Sequence, residues 1–60
     1  MPSITFNIIK LSKEQKAQIV DEFSESASKI TGIPKESFYV FINEFDEESV
    51  GVGGKLLGGD

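Results

Sequence analysis

The sequence predicts an α+β fold: a small βαβ subunit with two parallel strands and a short C-terminal strand or hairpin, assembling into an oligomer. Three observations predict it. Residues 3–8 alternate between apolar and polar, the stretch after Ser12 carries a helical apolar stripe behind a capping box, and residues 38–42 are apolar or aromatic at every position.

In the first stretch Ile4, Phe6 and Ile8 point one way while Ser3, Thr5 and Asn7 point the other. That period of two belongs to a strand with one face on a core. Ile9 breaks the alternation, so the far face turns apolar at its end. Ser12-Lys13-Glu14-Gln15 then reads as a capping box, in which the Ser12 hydroxyl and the Gln15 side chain satisfy free backbone donors. Ile19, Val20, Phe23, Ala27 and Ile30 form one stripe down the following helix, and Ile19, Val20, Phe23 and Ile30 are assigned to the core. Lys13, Glu14, Asp21, Glu22, Glu25 and Lys29 mostly fall off that stripe. Gly32 is the expected left-handed stop, and Pro34 prevents continuation.

Pro34-Lys35-Glu36-Ser37 reads as a turn or a single round of tight helix. Phe38-Tyr39-Val40-Phe41-Ile42 lacks the alternation of a half-buried strand, which suggests a central strand covered on both faces. Residues 43–49 are acidic and turn-like. Val50-Gly51-Val52-Gly53-Gly54 suits a short strand or a hairpin, and in the tail 56–60 the pair Leu56-Leu57 fits a subunit contact better than solvent. Strand, helix and strand within about forty residues imply parallel pairing and a right-handed crossover. One helix cannot cover both faces of the second strand, so the uncovered face must meet another subunit.

Composition narrows the remaining choices. Sixty residues make a single domain, residues 1–60, and a chain this short buries only about 60% of the surface its unfolded form exposes. There is no cysteine to staple it and no histidine to build a common metal site, so no metal or cofactor is expected. Oligomerisation remains as the stabiliser. No apolar run reaches the roughly twenty residues that span a bilayer. The opening MPSITFNIIK lacks the basic and long apolar regions of a signal peptide, which makes the cytoplasm the expected location. A net charge of −4 argues against a nucleic-acid partner. The acidic run Asp46-Glu47-Glu48 lacks the spaced oxygen ligands of a calcium loop. The glycines of residues 51–54 lack the lysine–serine pair and following helix of a phosphate loop.

Several features coincide in order and spacing. Met-Pro opens directly into a strand; Ser12, Glu14, Gln15 and Lys16 start the helix; a second strand ends in Asn43-Glu44; Val50-Gly51-Val52-Gly53-Gly54-Lys55-Leu56 closes the chain. Over residues 2–56 this arrangement resembles the 4-oxalocrotonate tautomerase family. The resemblance implies a homo-oligomer, a hexamer before a dimer or trimer, with active sites at subunit boundaries. It also implies that Met1 is removed and that the secondary amine of Pro2 moves a proton along an unsaturated 2-hydroxy or 2-oxo acid. A free α-amino group has a pKa near 7.7–8.0, and an apolar surround lowers it toward the range where a general base works best. By resemblance Ile9, Val50 and Val52 supply that surround.

The departures are equally specific. All six basic residues are lysines, so the bidentate guanidinium clamp for carboxylates is absent. Where the family carries an arginine before the helix, the segment is one residue shorter and Leu11 stands there; where it carries a second, Tyr39 stands; Val50 replaces an aromatic residue. Lys10 is adjacent to the first lost position and offers a point charge there, or is a solvated surface lysine. Tyr39 offers one hydrogen bond to a substrate oxygen, or fills a central strand. The expected partner is thus a small enol or keto acid, with an aromatic or monocarboxylate enol easier to accommodate than a dicarboxylate. The alternatives are a hydratase, dehalogenase or decarboxylase on the same fold, or a non-catalytic oligomeric module with a vestigial pocket.

Overall fold

In a computed structural model of the protein, which describes residues 1–59, the elements follow the order β1 (Ser3–Ile8), α1 (Lys13–Thr31), β2 (Tyr39–Glu44), β3 (Gly51–Val52) and β4 (Lys55–Leu56). Asp60, the end of the tail considered above, lies outside the described residues. Single 3-10 turns occupy Lys35–Ser37 and Glu47–Ser49. β1 and β2 pair in parallel, with Ser3 opposite Tyr39 and Ile8 opposite Glu44; β3 and β4 form a separate antiparallel hairpin.

The helix boundaries follow from local chemistry. The Gln15 amide N–H donates to Ser12 Oγ at 3.1 Å while the Ser12 N–H donates to Gln15 Oε1 at 3.0 Å, so both halves of the capping box are made. At the other end Gly32 adopts φ 78° and its N–H donates to the Ser28 carbonyl at 2.9 Å. This is the left-handed cap that only glycine adopts without a Cβ penalty. At the tip of the hairpin Gly53 and Gly54 both have positive φ, 62° and 85°, as a two-residue type I′ connection demands.

Strand parity decides what the helix covers. Ile4, Phe6 and Ile8 of β1 and Val40 and Ile42 of β2 are half-buried, whereas Ser3, Thr5, Asn7, Tyr39, Phe41 and Asn43 are exposed. Phe23 meets Phe6 edge to face, ring centroids 5.6 Å apart, the arrangement the ring quadrupoles favour. Within one chain β2 therefore alternates like an ordinary half-covered strand. Its second apolar face, which the sequence marks for burial, lies open, with the Tyr39 and Phe41 rings stacked upon it at 6.4 Å.

Part of the expected core is not buried. Among the described residues no hydrophobic side chain is fully buried; Ser24, 6% exposed, is the buried residue of the helix. Ile30, assigned to the core with the rest of its stripe, is 85% exposed. Length explains this: at 1.5 Å per residue the helix runs to about 28 Å, while the six-residue strands extend about 20 Å, so its last turns overhang the sheet. The radius of gyration is 14.7 Å, against about 10 Å for a compact chain of this length. The removal of the cap is the simplest test of the helix. Replacement of Ser12 by Ala is expected to cost about 1 kcal/mol in denaturant unfolding, with native far-UV circular dichroism retained before the transition.

Candidate active site

Pro2 precedes β1, half-buried, and its carbonyl accepts the Tyr39 N–H at 3.1 Å. The two residues are thus tied through backbone at the N-terminal ends of the strands. Their side chains diverge: Pro2 shares the parity of Ile4 and Phe6, whereas the Tyr39 ring stands 53% exposed on the open face. Met1, ahead of Pro2, is 82% exposed.

The other candidates lie toward the opposite end of β1. Ile9 and Val50 line one cavity of about 530 Å³ together with Asn7, Ile8, Phe45, Ser49 and Gly51. The Phe45 N–H is shared between the carbonyls of Ile8 and Ile9 at 3.0 and 3.1 Å, which fixes Phe45 where β1 leaves β2. Leu57 N–H donates to the Val50 carbonyl at 2.8 Å and holds the base of the hairpin. On the polar side, Asn43 Nδ2 donates to Asn7 Oδ1 at 2.9 Å, so the Asn7 carbonyl already has a partner. None of the lining residues is ionisable. Val52 and Lys10 are exposed and do not line the cavity.

Glu44 organises the neighbouring loop. Its Oε1 accepts from Lys16 Nζ at 2.6 Å and its Oε2 from the Leu11 N–H at 3.0 Å. The Lys16 hydrogen bond first, then the Leu11 amide, hold the Glu44 carboxyl below its ordinary value of 4.5. Lys10 also lies within electrostatic reach of this carboxylate. The segment that carries Leu11 is therefore tied to the end of β2 and to the first turns of α1.

A single chain does not bring Pro2 to the cavity. Seven residue steps of extended chain separate Pro2 from Ile9, roughly 23 Å at strand rise. The chain holds a candidate amine at one end of its sheet and an apolar cavity at the other. Phe45 was not singled out by the sequence reading, and Glu44 entered it only as the end of the second strand. The available signal for Phe45 was one aromatic residue inside the acidic, turn-like stretch 43–49.

Because a depressed carboxyl pKa adds stability only while the group is ionised, the Glu44 contribution is present above pH 4.5 and is lost as pH falls through its lowered folded value. Thermal unfolding of wild type and Glu44→Gln between about pH 7 and about pH 3 should show the variant less stable at neutral pH, with the gap closing in acid.

Comparison with known proteins now places the chain. The family model described as tautomerase enzyme matches residues 2–59. A probable tautomerase of Bacillus cereus is 34% identical over 58 residues, 95% of each chain. One from Streptococcus pyogenes serotype M3 is 42% identical over 48 residues, covering 78% of this chain and 79% of the relative. The crystal structure of YwhB, a homologue of 4-oxalocrotonate tautomerase, superposes with a TM-score of 0.87 at 31% identity over 95% of both chains. With the βαβ order, the parallel register and the C-terminal hairpin all accounted for, the chain belongs to the tautomerase family of enzymes.

Proposed function

We propose that this protein catalyses enol–keto proton transfer in a small unsaturated 2-hydroxy or 2-oxo acid, with the amine of Pro2 as general base and acid. The observation that carries the reading is Pro2 itself, half-buried at the head of β1 behind a Met1 that is 82% exposed. Removal of such a methionine costs little packing and converts an amide nitrogen into a basic secondary amine. Such an amine titrates near neutrality, and apolar surroundings disfavour its charged form. A neutral base poised near the working pH gives the largest general-base effect. Tyr39, tied to Pro2 through its backbone, is the proposed hydrogen-bond donor to a substrate oxygen if its ring faces a neighbouring subunit's amine. Lys10 is proposed at the rim, and Ile9, Val50 and Val52 as apolar surroundings.

Assembly is part of the same proposal. A homo-oligomer, with a hexamer favoured, would cover the open face of β1 and β2 and the exposed hydrophobic side chains of the helix and hairpin. It would also let the Pro2 of one subunit approach the cavity of another, which the length of β1 forbids within one chain. Among the described residues no helix is long and apolar enough to cross a membrane, and a cytoplasmic location with no nucleic-acid partner is the proposed setting. A vestigial, non-catalytic pocket is the second reading, favoured by the lack of any ionisable side chain lining the cavity.

Ketonisation of an enol acid, followed by absorbance with intact mass measured on the same sample, tests the amine. Pro2→Ala is expected to lower kcat/KM by roughly 100-fold, within the range ascribed to general-base catalysis, while the oligomer persists. Undiminished activity in that variant would exclude the proline amine. Assembly has its own check: the thermal midpoint should rise with protein concentration, as mass action requires when folding and association are linked.

A further inference from the structure

The open face of the sheet has a direction. The register sets three rows on it: Ser3 beside Tyr39, Thr5 beside Phe41, and Asn7 beside Asn43. The first two place a small hydroxyl residue next to an aromatic ring, and the two rings stack on one another. The third is all amide, with Asn43 Nδ2 donating to Asn7 Oδ1 at 2.9 Å. Asparagine is depleted in strands, yet each strand carries one at the same row. The pair is also unfinished. Among the described residues neither amide makes a second side-chain hydrogen bond, so Asn7 Nδ2 keeps its donors and Asn43 Oδ1 its acceptor sites. Reversing both amides would leave the same edge of one donor and one acceptor. Such an edge is complementary to itself, and a second copy of the row satisfies it where an apolar partner would not. The size of the exposed surface points to the same occupant. The chain exposes 4705 Å², whereas a compact protein of its mass exposes about 3,900 Å². The surplus, roughly 800 Å², is what one partner contributes to a standard interface.

We propose that neighbouring copies of this chain meet on the open face with their Asn7–Asn43 rows in contact, and that this amide row fixes how many copies assemble. The inference rests on the assembly proposed above and goes beyond it by naming the residues that specify it. Its physical basis is an asymmetry between the rows. Tyr39 and Phe41 gain from burial, but apolar burial has no direction, and two such surfaces can slide or turn over one another at little cost. An amide row cannot. Displaced against a ring, its free donor and acceptor leave water without a partner, which costs more than the matched contact gains. Wrong arrangements are therefore penalised, while the right one is merely satisfied. A single polar residue in an apolar seam fixes register and oligomer number in coiled coils by the same means. The row lies at the far end of the strands from Pro2 and Tyr39, so the device is separate from the candidate amine. Asn7 also borders the cavity, which makes association, not turnover, the proper readout.

Asn7→Val, Asn43→Val and the double variant test the inference, by sedimentation over a dilution series and by native mass spectrometry of the processed chain. Valine favours strands, so neither single change endangers β1 or β2. Each single variant should dissociate at about tenfold higher concentration than wild type, because the amide left behind is buried without its partner. The double variant should recover wild-type association to within about threefold. It should also lose the single stoichiometry, showing several assembly sizes where wild type shows one. Single variants that associate as tightly as wild type, or more tightly as added apolar surface alone would give, would overturn the inference. So would a double variant weaker than both singles, or one that keeps the wild-type stoichiometry. The two claims fail differently. A wild type that is monomeric throughout would remove the assembly reading itself, whereas an oligomeric wild type with indifferent single variants would remove this inference alone.

Discussion

The parallel register of β1 with β2 is the constraint on which the rest of the molecule depends. With Ser3 opposite Tyr39, and Ile4 opposite Val40, every half-buried apolar residue of both strands faces the helix. A slip of one residue in either strand would send that strand's apolar set to the other side. The register is held at its lower end by the Tyr39 amide on the Pro2 carbonyl and at its upper end by the Phe45 amide on Ile8 and Ile9. It is held from the side by the Phe6–Phe23 contact. The residues that bracket the candidate chemistry are thus the same ones that terminate the sheet.

That register also leaves one face of the sheet open within a single chain. A two-stranded sheet has two faces, and α1 can cover one. Thr5 and Ser3 on the open side would be content in water, but Phe41 and Tyr39 would not need to be aromatic there. The ion pairs do not compensate. Lys35 contacts Asp21 and, at 3.2 Å, Glu25, which together raise its pKa, yet all three side chains are well exposed, and such pairs add little to stability. With no hydrophobic side chain fully buried among the described residues, the ordinary source of folding free energy is only partly used within one subunit. The hairpin repeats the pattern: its β3 and β4 pair with each other and not with the main sheet, and it leaves Val52, Leu56 and Leu57 exposed.

Most of the fold was legible because its determinants are local. Ser12 and Gln15 lie three residues apart and bond as their spacing implies. Gly32 ends the helix in the left-handed region, and Gly53-Gly54 turns the hairpin. The uniform apolar run of residues 38–42 marked a strand, and β2 forms at Tyr39–Glu44, but one chain covers only one of the two faces expected to be covered. What escaped was whatever depends on relative length and on which end of an element meets another. Ile30 belongs to the stripe by periodicity, but the overhang of a helix longer than its strands is invisible to periodicity. Phe45 sits among acidic residues and reads as part of a solvated turn. Only the shared hydrogen bond to β1 reveals it as a wall. Tyr39 could be placed on a strand from sequence, but its face depends on the register, and the register depends on how the crossover closes.

The site inherits this division. Charge is concentrated where the loop before α1 is anchored, through Glu44, Lys16 and the Leu11 amide. It is absent from the lining of the cavity a few residues away. A guanidinium in that loop would compete with Lys16 for Glu44 or would need another anion to satisfy it. Leucine at position 11 brings no such competitor, and its backbone N–H, which any residue but proline would supply, serves the carboxylate. An apolar side chain at position 11 is therefore compatible with the Lys16–Glu44 network already in place. Introducing arginine at position 11 alone would place a cation beside an occupied carboxylate. A preference for dicarboxylates would then require a change in the Glu44 network as well, because a charge already neutralised by Glu44 has little left to offer a substrate.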